Sequence, residues 1–123
     1  MFSLKRLFNS FSYASTGLKR VFIEEQNFRL QALAAFLVIC AMFVFDLSWL
    51  ERSVLTLAMA LVLVLELMNS IFERIVDLLK PRVHLHVKEI KDVMAGTVLV
   101  AATAAILIGL MILGPYLSLS LFG

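Results

Sequence analysis

Three apolar runs, each long enough to cross a bilayer as a helix, occupy most of this chain: Leu30–Leu50, Ser53–Phe72 and Val93–Gly123. A hydrocarbon core of about 30 Å needs about 20 helical residues. Inside lipid the backbone must satisfy its own hydrogen bonds, so such runs become helices rather than loops or open strands. The chain is 62% hydrophobic over 123 residues, above the roughly half expected of a soluble domain, and the excess sits in these runs. The expected fold class is an all-α membrane protein with three transmembrane helices, over 30–50, 53–78 and 92–122, in a single domain covering 1–123. That length leaves no room for a separate soluble nucleotide-binding domain. The one cysteine, Cys40, lies within an apolar run and excludes an intramolecular disulfide.

Orientation follows from the basic residues. Lys5, Arg6, Lys19, Arg20 and Arg29 precede the first run, and Arg74, Lys80, Arg82, Lys88 and Lys91 lie around the second connection. Only Arg52 occupies the first connection, so ten of the eleven Lys and Arg residues share one side. By the positive-inside rule that side is the cytoplasm, with the N-terminus there and the C-terminus outside. Trp49 and Tyr116 then fall at the outer boundary, where amphipathic rings collect. The first 25 residues interrupt any apolar stretch with charge, and no cleavable signal is expected. Instead, Leu4, Leu7, Phe8 and Phe11 repeat at helical spacing opposite Lys5, Arg6, Asn9 and Ser10. That pattern predicts an amphipathic helix on the membrane surface within residues 1–29. Gly17 is expected to mark a break before a second short helix, and the Pro81-containing stretch Leu79–Leu85 is expected to be a loop.

The second run carries the chemistry. Glu66, Asn69, Glu73 and Asp77 are spaced three, four and four residues apart, which places them on one helix face within an arc of roughly 80°. Glu66 and Glu73 stand about 10 Å apart along the axis. A charged side chain at the centre of a bilayer costs about 2.5–3.5 kcal/mol, so a stripe of acids must face a bundle interior or the water boundary. Glu24 and Glu25 before the first run, and Lys91-Asp92 at the start of the third, fall at the same interface. Acids sharing a site with oxygen-only donors suit a magnesium ion, and magnesium suits a polyphosphate. The structural alternative is a polar stripe that only joins helices.

The common nucleotide motifs are missing: there is no G-x-x-x-x-G-K-[ST] loop, no G-x-G-x-x-G and no kinase catalytic loop. His84 and His86 are two residues apart with no third ligand nearby, a poor zinc site. No nucleic-acid partner is expected.

The segment ELMNSIFERIVD, Glu66 to Asp77, resembles the E-x-x-N-[ST]-A-x-E-x-x-x-D pattern of the prokaryotic diacylglycerol kinase family, which includes the undecaprenol kinases. FSYASTGL (Phe11–Leu18), EQNFR (Glu25–Arg29) and KDVMAGTVLVAA (Lys91–Ala102) match further family blocks in order. Ile71 stands where the family usually has alanine and Thr16 where some relatives have lysine, and EQNFR and MAGTVL look more like the undecaprenol-kinase branch. The resemblance implies a homotrimeric enzyme of the cell inner membrane that uses ATP and Mg2+ to phosphorylate a lipid hydroxyl, with active sites built between subunits. Carried over by position, Glu66 would be the general base, and Glu25 and Glu73 the metal ligands. Arg6, Tyr13, Glu25, Asn69, Glu73, Asp77, Arg82, His84, Lys91 and Asp92 would contact ATP. Arg52 and Glu66 would seat the lipid, undecaprenol or diacylglycerol.

Two other readings use the same residues. A small proton-coupled transporter would place its acid near midplane, often within an inverted repeat, and no repeat is present. A non-enzymatic membrane assembly subunit would pack the stripe on partner helices and bind no nucleotide.

Overall fold

The computed structural model of the chain describes residues 1–79 and 86–123. It is all helix, with no strand among the described residues, the expected all-α membrane architecture. Among the described residues four helices follow in order: α1 Leu4–Glu24, α2 Gln26–Val44, α3 Trp49–Leu79 and α4 His86–Phe122. The last three are each long and apolar enough to cross a membrane. Arg82 and His84, with the loop expected around Pro81, lie outside the described residues.

α1 starts where Ser3 caps it, its hydroxyl accepting from the Arg6 backbone N–H at 3.4 Å. None of its residues is buried, and Leu4, Leu7, Phe8 and Phe11 are all exposed. The expected break at Gly17 does not occur, because α1 runs through it. A glycine inside a helix costs only about 1 kcal/mol relative to alanine, and one such residue does not end a helix that its neighbours favour. The break falls at Glu25, whose backbone is extended at φ −108° and ψ 110°. There the Arg29 guanidinium donates to the α1 carbonyls of Phe22 and Ile23, at 2.8 and 2.6 Å, replacing the helical bonds those carbonyls lose.

The turn at the opposite end spans Phe45–Ser48 and buries Leu47. Ser48 opens α3 with a capping box: its hydroxyl accepts from the Glu51 N–H, and the Glu51 carboxylate accepts from the Ser48 N–H at 2.9 Å. The S-x-x-E signature was present in the sequence. Tyr116 of α4 donates its hydroxyl to the same Glu51 carboxylate at 2.9 Å, and its ring packs 6.0 Å from Phe45. At the basic end Lys91 pairs with Asp77 at 2.9 Å. These two contacts make α3 and α4 antiparallel and set their register. Replacing Tyr116 with Phe is expected to lower stability by about 1 kcal/mol, read as an earlier thermal unfolding in detergent, because Glu51 loses a neutral donor but keeps its cap.

The inward seam of α3 reads Leu55, Val62, Glu66, Asn69 and Val76, all buried. Their steps of seven, four, three and seven are the spacing of helices packed side by side. The acid and the amide therefore belong to the helix-packing face, not to the lipid face. α2 contributes Phe28 and Ala35, and α4 contributes Val87, Val98 and Ala101.

Candidate functional site at the basic end of the bundle

Helix rise fixes the depth of the site. From Trp49, Glu66 lies about 26 Å along α3 and Glu73 about 36 Å. With Trp49 at one boundary of a core about 30 Å thick, Glu66 sits just inside the other and Glu73 just beyond it. The stripe thus runs from the hydrocarbon edge into the interface. Burial follows the same gradient: Glu66 is 3% and Asn69 9% exposed, Glu73 is half-buried, and Asp77 is exposed.

Four expected site residues come together. The Gln31 amide of α2 donates to Glu66 Oε2 at 3.2 Å. Asn69 Nδ2 donates to Glu73 Oε1 at 3.4 Å. Ser70 Oγ donates to Glu25 Oε1 at 3.3 Å, bringing the residue at the α1–α2 break onto the face of α3. The carboxylates of Glu25 and Glu73 lie within electrostatic reach of Glu66. Among the described residues no Lys, Arg or His comes within ion-pair distance of Glu25, Glu66 or Glu73, since the ion pairs join Arg74 to Glu24, His86 to Glu89, Lys88 to Asp92 and Lys91 to Asp77. Among the described residues the three acids are bonded by neutral donors, and Lys91 lies within electrostatic reach of Glu73 without pairing with it.

The donor set fits a hard divalent cation. Glu25 and Glu73 each engage one carboxylate oxygen with a neutral donor, and their partners are oxygen and amide groups without sulfur or imidazole. Among the described residues no three His, Cys, Asp or Glu side chains are arranged to enclose an ion by themselves. An ion on Glu25 and Glu73 would complete its shell with phosphate and water oxygens, which is the usual arrangement for magnesium.

The remaining expected residues are dispersed in the single chain. Lys91 and Asp77 pair about one helical turn beyond Glu73. Asp92 faces outward and bonds Lys88 at 2.8 Å. Arg6 and Tyr13 are exposed on α1 and bond no residue of the acid cluster. Arg52 lies about 21 Å from Glu66 along α3, with its guanidinium 5.3 Å from the centre of the Trp49 ring and donating to the Met42 carbonyl at 3.4 Å.

Three polar partners escaped the sequence reading: Gln31, Ser70 and Arg74. Gln31 had a signal, a polar side chain one position inside an apolar run, where it needs a partner. It also lines a groove of about 440 Å3 between α2, α3 and α4. The groove walls include Ala34, Val38, Ala58, Ala105 and Gly109, and Gln31 is the one polar lining residue. A hydrocarbon-walled groove therefore ends at the residue that holds Glu66. The Gln31 carbonyl oxygen there is buried and has no hydrogen-bond partner among the described residues.

The sequence pattern of the prokaryotic diacylglycerol kinase family matches residues 12–113. A diacylglycerol kinase of Synechocystis sp. is 39% identical over 112 residues, 89% of this chain, and the chain spans 64% of that relative's length. An undecaprenol kinase of Bacillus subtilis is 37% identical over 114 residues, 93% of each chain. A diacylglycerol kinase of Helicobacter pylori is 38% identical over 118 residues, 92% of this chain and 85% of the relative.

Proposed function

The chain belongs to the prokaryotic diacylglycerol kinase family, and from that premise we propose that it transfers the γ-phosphoryl group of ATP to the hydroxyl of a membrane lipid, undecaprenol or diacylglycerol. The observation that carries the proposal is Glu66: a buried carboxylate at the edge of the hydrocarbon layer, bonded to Gln31 where an apolar groove meets the acid cluster. A lipid alcohol has that same division, hydrocarbon within the layer and one hydroxyl at its edge.

In this reading residues 1–123 form one membrane-embedded kinase domain, with its N-terminus in the cytoplasm and its site at the inner face of the cell inner membrane. Glu66 takes the proton of the lipid hydroxyl as that oxygen forms its bond to the γ-phosphorus. The bond from the γ-phosphorus to its bridging oxygen breaks, and ADP departs. Gln31 keeps Glu66 aimed at the groove mouth. Asn69 orients Glu73, and Ser70 orients Glu25. These two acids would hold the metal, with magnesium the ion their oxygens favour. When bound, it neutralises charge on the phosphate oxygens. Asp77, Lys91 and Asp92 contact the nucleotide at the water side, with Arg6, Tyr13, Arg82 and His84 as further contacts. Arg52, at the far end of α3, helps to seat the lipid. Phosphoryl transfer asks mainly for position and charge neutralisation, which a short helical chain can supply. A homotrimer, with each site completed by a neighbour, would bring the exposed Arg6 and Tyr13 into play.

The depth of Glu66 argues against a proton-coupled transporter, whose acid belongs near midplane. The test is direct. Purified protein in lipid vesicles with magnesium and γ-labelled ATP is expected to label undecaprenol or diacylglycerol. Absence of label in both, from protein that remains folded, would refute the proposal and favour an assembly subunit.

A further inference from the structure

The side chain at the α1–α2 break is held by a network that joins Ser70 and Arg74 of α3 to Glu24 and Glu25. Glu25 has one extended residue's freedom between two helices. Left alone, its carboxylate could swing, because a single-residue break fixes direction poorly. Arg29 steadies the near side by capping α1. Arg74, from α3, holds the far side with one guanidinium used twice. Its Nη2 donates to Glu24 Oε2 at 2.7 Å, and its Nε donates to Ser70 Oγ at 3.4 Å.

The second bond has a directional effect. A serine hydroxyl has one hydrogen and accepts through its lone pairs. With Arg74 donating to Ser70, the serine hydrogen is left for Glu25 Oε1, 3.3 Å away. Ser70 is only 2% exposed, so no bulk water competes for that hydrogen. Arg74 and Glu24 are 43% and 52% exposed, so their ion pair adds little to stability. What the pair supplies is position.

We propose that Arg74 is a positioning residue for the metal-binding carboxylate: through Ser70 it aims Glu25, and through Glu24 it locks α1 at the break. The proposal rests on the assignment of Glu25 to the metal under the proposed function. Arginine is needed because two donors of fixed geometry serve two acceptors at once. A lysine in its place keeps the Glu24 pair and loses the serine.

The experiment measures metal binding rather than turnover. The full chain in lipid nanodiscs, with a non-hydrolysable ATP analogue, is titrated with Mn2+ and followed by electron paramagnetic resonance. Arg74→Ala and Ser70→Ala are each expected to weaken Mn2+ binding roughly tenfold, the range seen when residues that orient metal ligands are removed. Ser70→Thr, which keeps the hydroxyl, retains the affinity. Arg74→Lys falls with Arg74→Ala, because holding α1 alone does not orient Ser70. Wild-type Mn2+ affinity in Arg74→Ala and Ser70→Ala, beside weak binding in Glu25→Gln, would overturn this proposal and leave the metal assignment standing. Wild-type affinity in Glu25→Gln would overturn both. Should Arg74→Ala fail to fold, Arg74→Lys, which keeps the Glu24 pair, takes its place, and wild-type Mn2+ affinity in that variant would overturn the proposal.

Discussion

Glu66→Gln is expected to lower the rate of phosphoryl transfer by at least about a hundredfold, the lower end of what a general base contributes. The substitution isolates the base because little else changes. The amide has the size of the carboxylate, and its oxygen can still accept from Gln31, which sits 3.2 Å away. Folding does not suffer, since removing one of three neighbouring negative charges relieves repulsion with Glu25 and Glu73. The loss should appear in kcat, with the KM for ATP nearly unchanged, because the missing interaction belongs to the transition state rather than to nucleotide binding. Initial rates with γ-labelled ATP and a saturating lipid alcohol give both constants. A variant that keeps more than about a tenth of kcat would remove Glu66 from the base role, given the size of that contribution.

Glu25→Gln and Glu73→Gln should behave differently. Each is expected to raise the magnesium concentration that half-saturates activity by at least about tenfold, because each removes a charged ligand while keeping the bond to Ser70 or Asn69. The lost charge is significant here, since among the described residues no cation stands within ion-pair distance of this cluster. Excess magnesium should recover part of the rate in both variants. It should recover none in Glu66→Gln, and that contrast separates metal binding from proton transfer. Unchanged magnesium dependence in both variants, with only kcat lowered, would mean the ion sits elsewhere.

Both expectations depend on where α3 places its acids. An acid turned to lipid is costly, and an acid in open water is a weak base with a solvated charge. The seam Leu55–Val62–Glu66–Asn69 avoids the first by facing the other helices, and the helix length avoids the second by stopping Glu66 short of the water. The apolar groove lined by Gln31 ends beside the same point.

Some of this architecture follows from local rules and was legible in the order of residues. Apolar runs of bilayer length must be helical, and an acid every three or four residues must share a face, so the three long helices and the α3 stripe needed no partner information. The end of α1 was misplaced because glycine only weakens a helix, whereas the actual break lies at Glu25, where α2 starts and Arg29 captures the freed carbonyls. The contacts between helices depend on register, a property of whole helices packed together. Gln31 on Glu66, Ser70 on Glu25 and Arg74 on Glu24 join residues 35, 45 and 50 positions apart, and no spacing rule links such pairs. The sequence by itself determined that acids line one face of a membrane helix, because helical periodicity is a local property. Only the tertiary structure decided which neutral and charged groups meet each acid, because that requires α1, α2 and α4 to pack at one depth against α3.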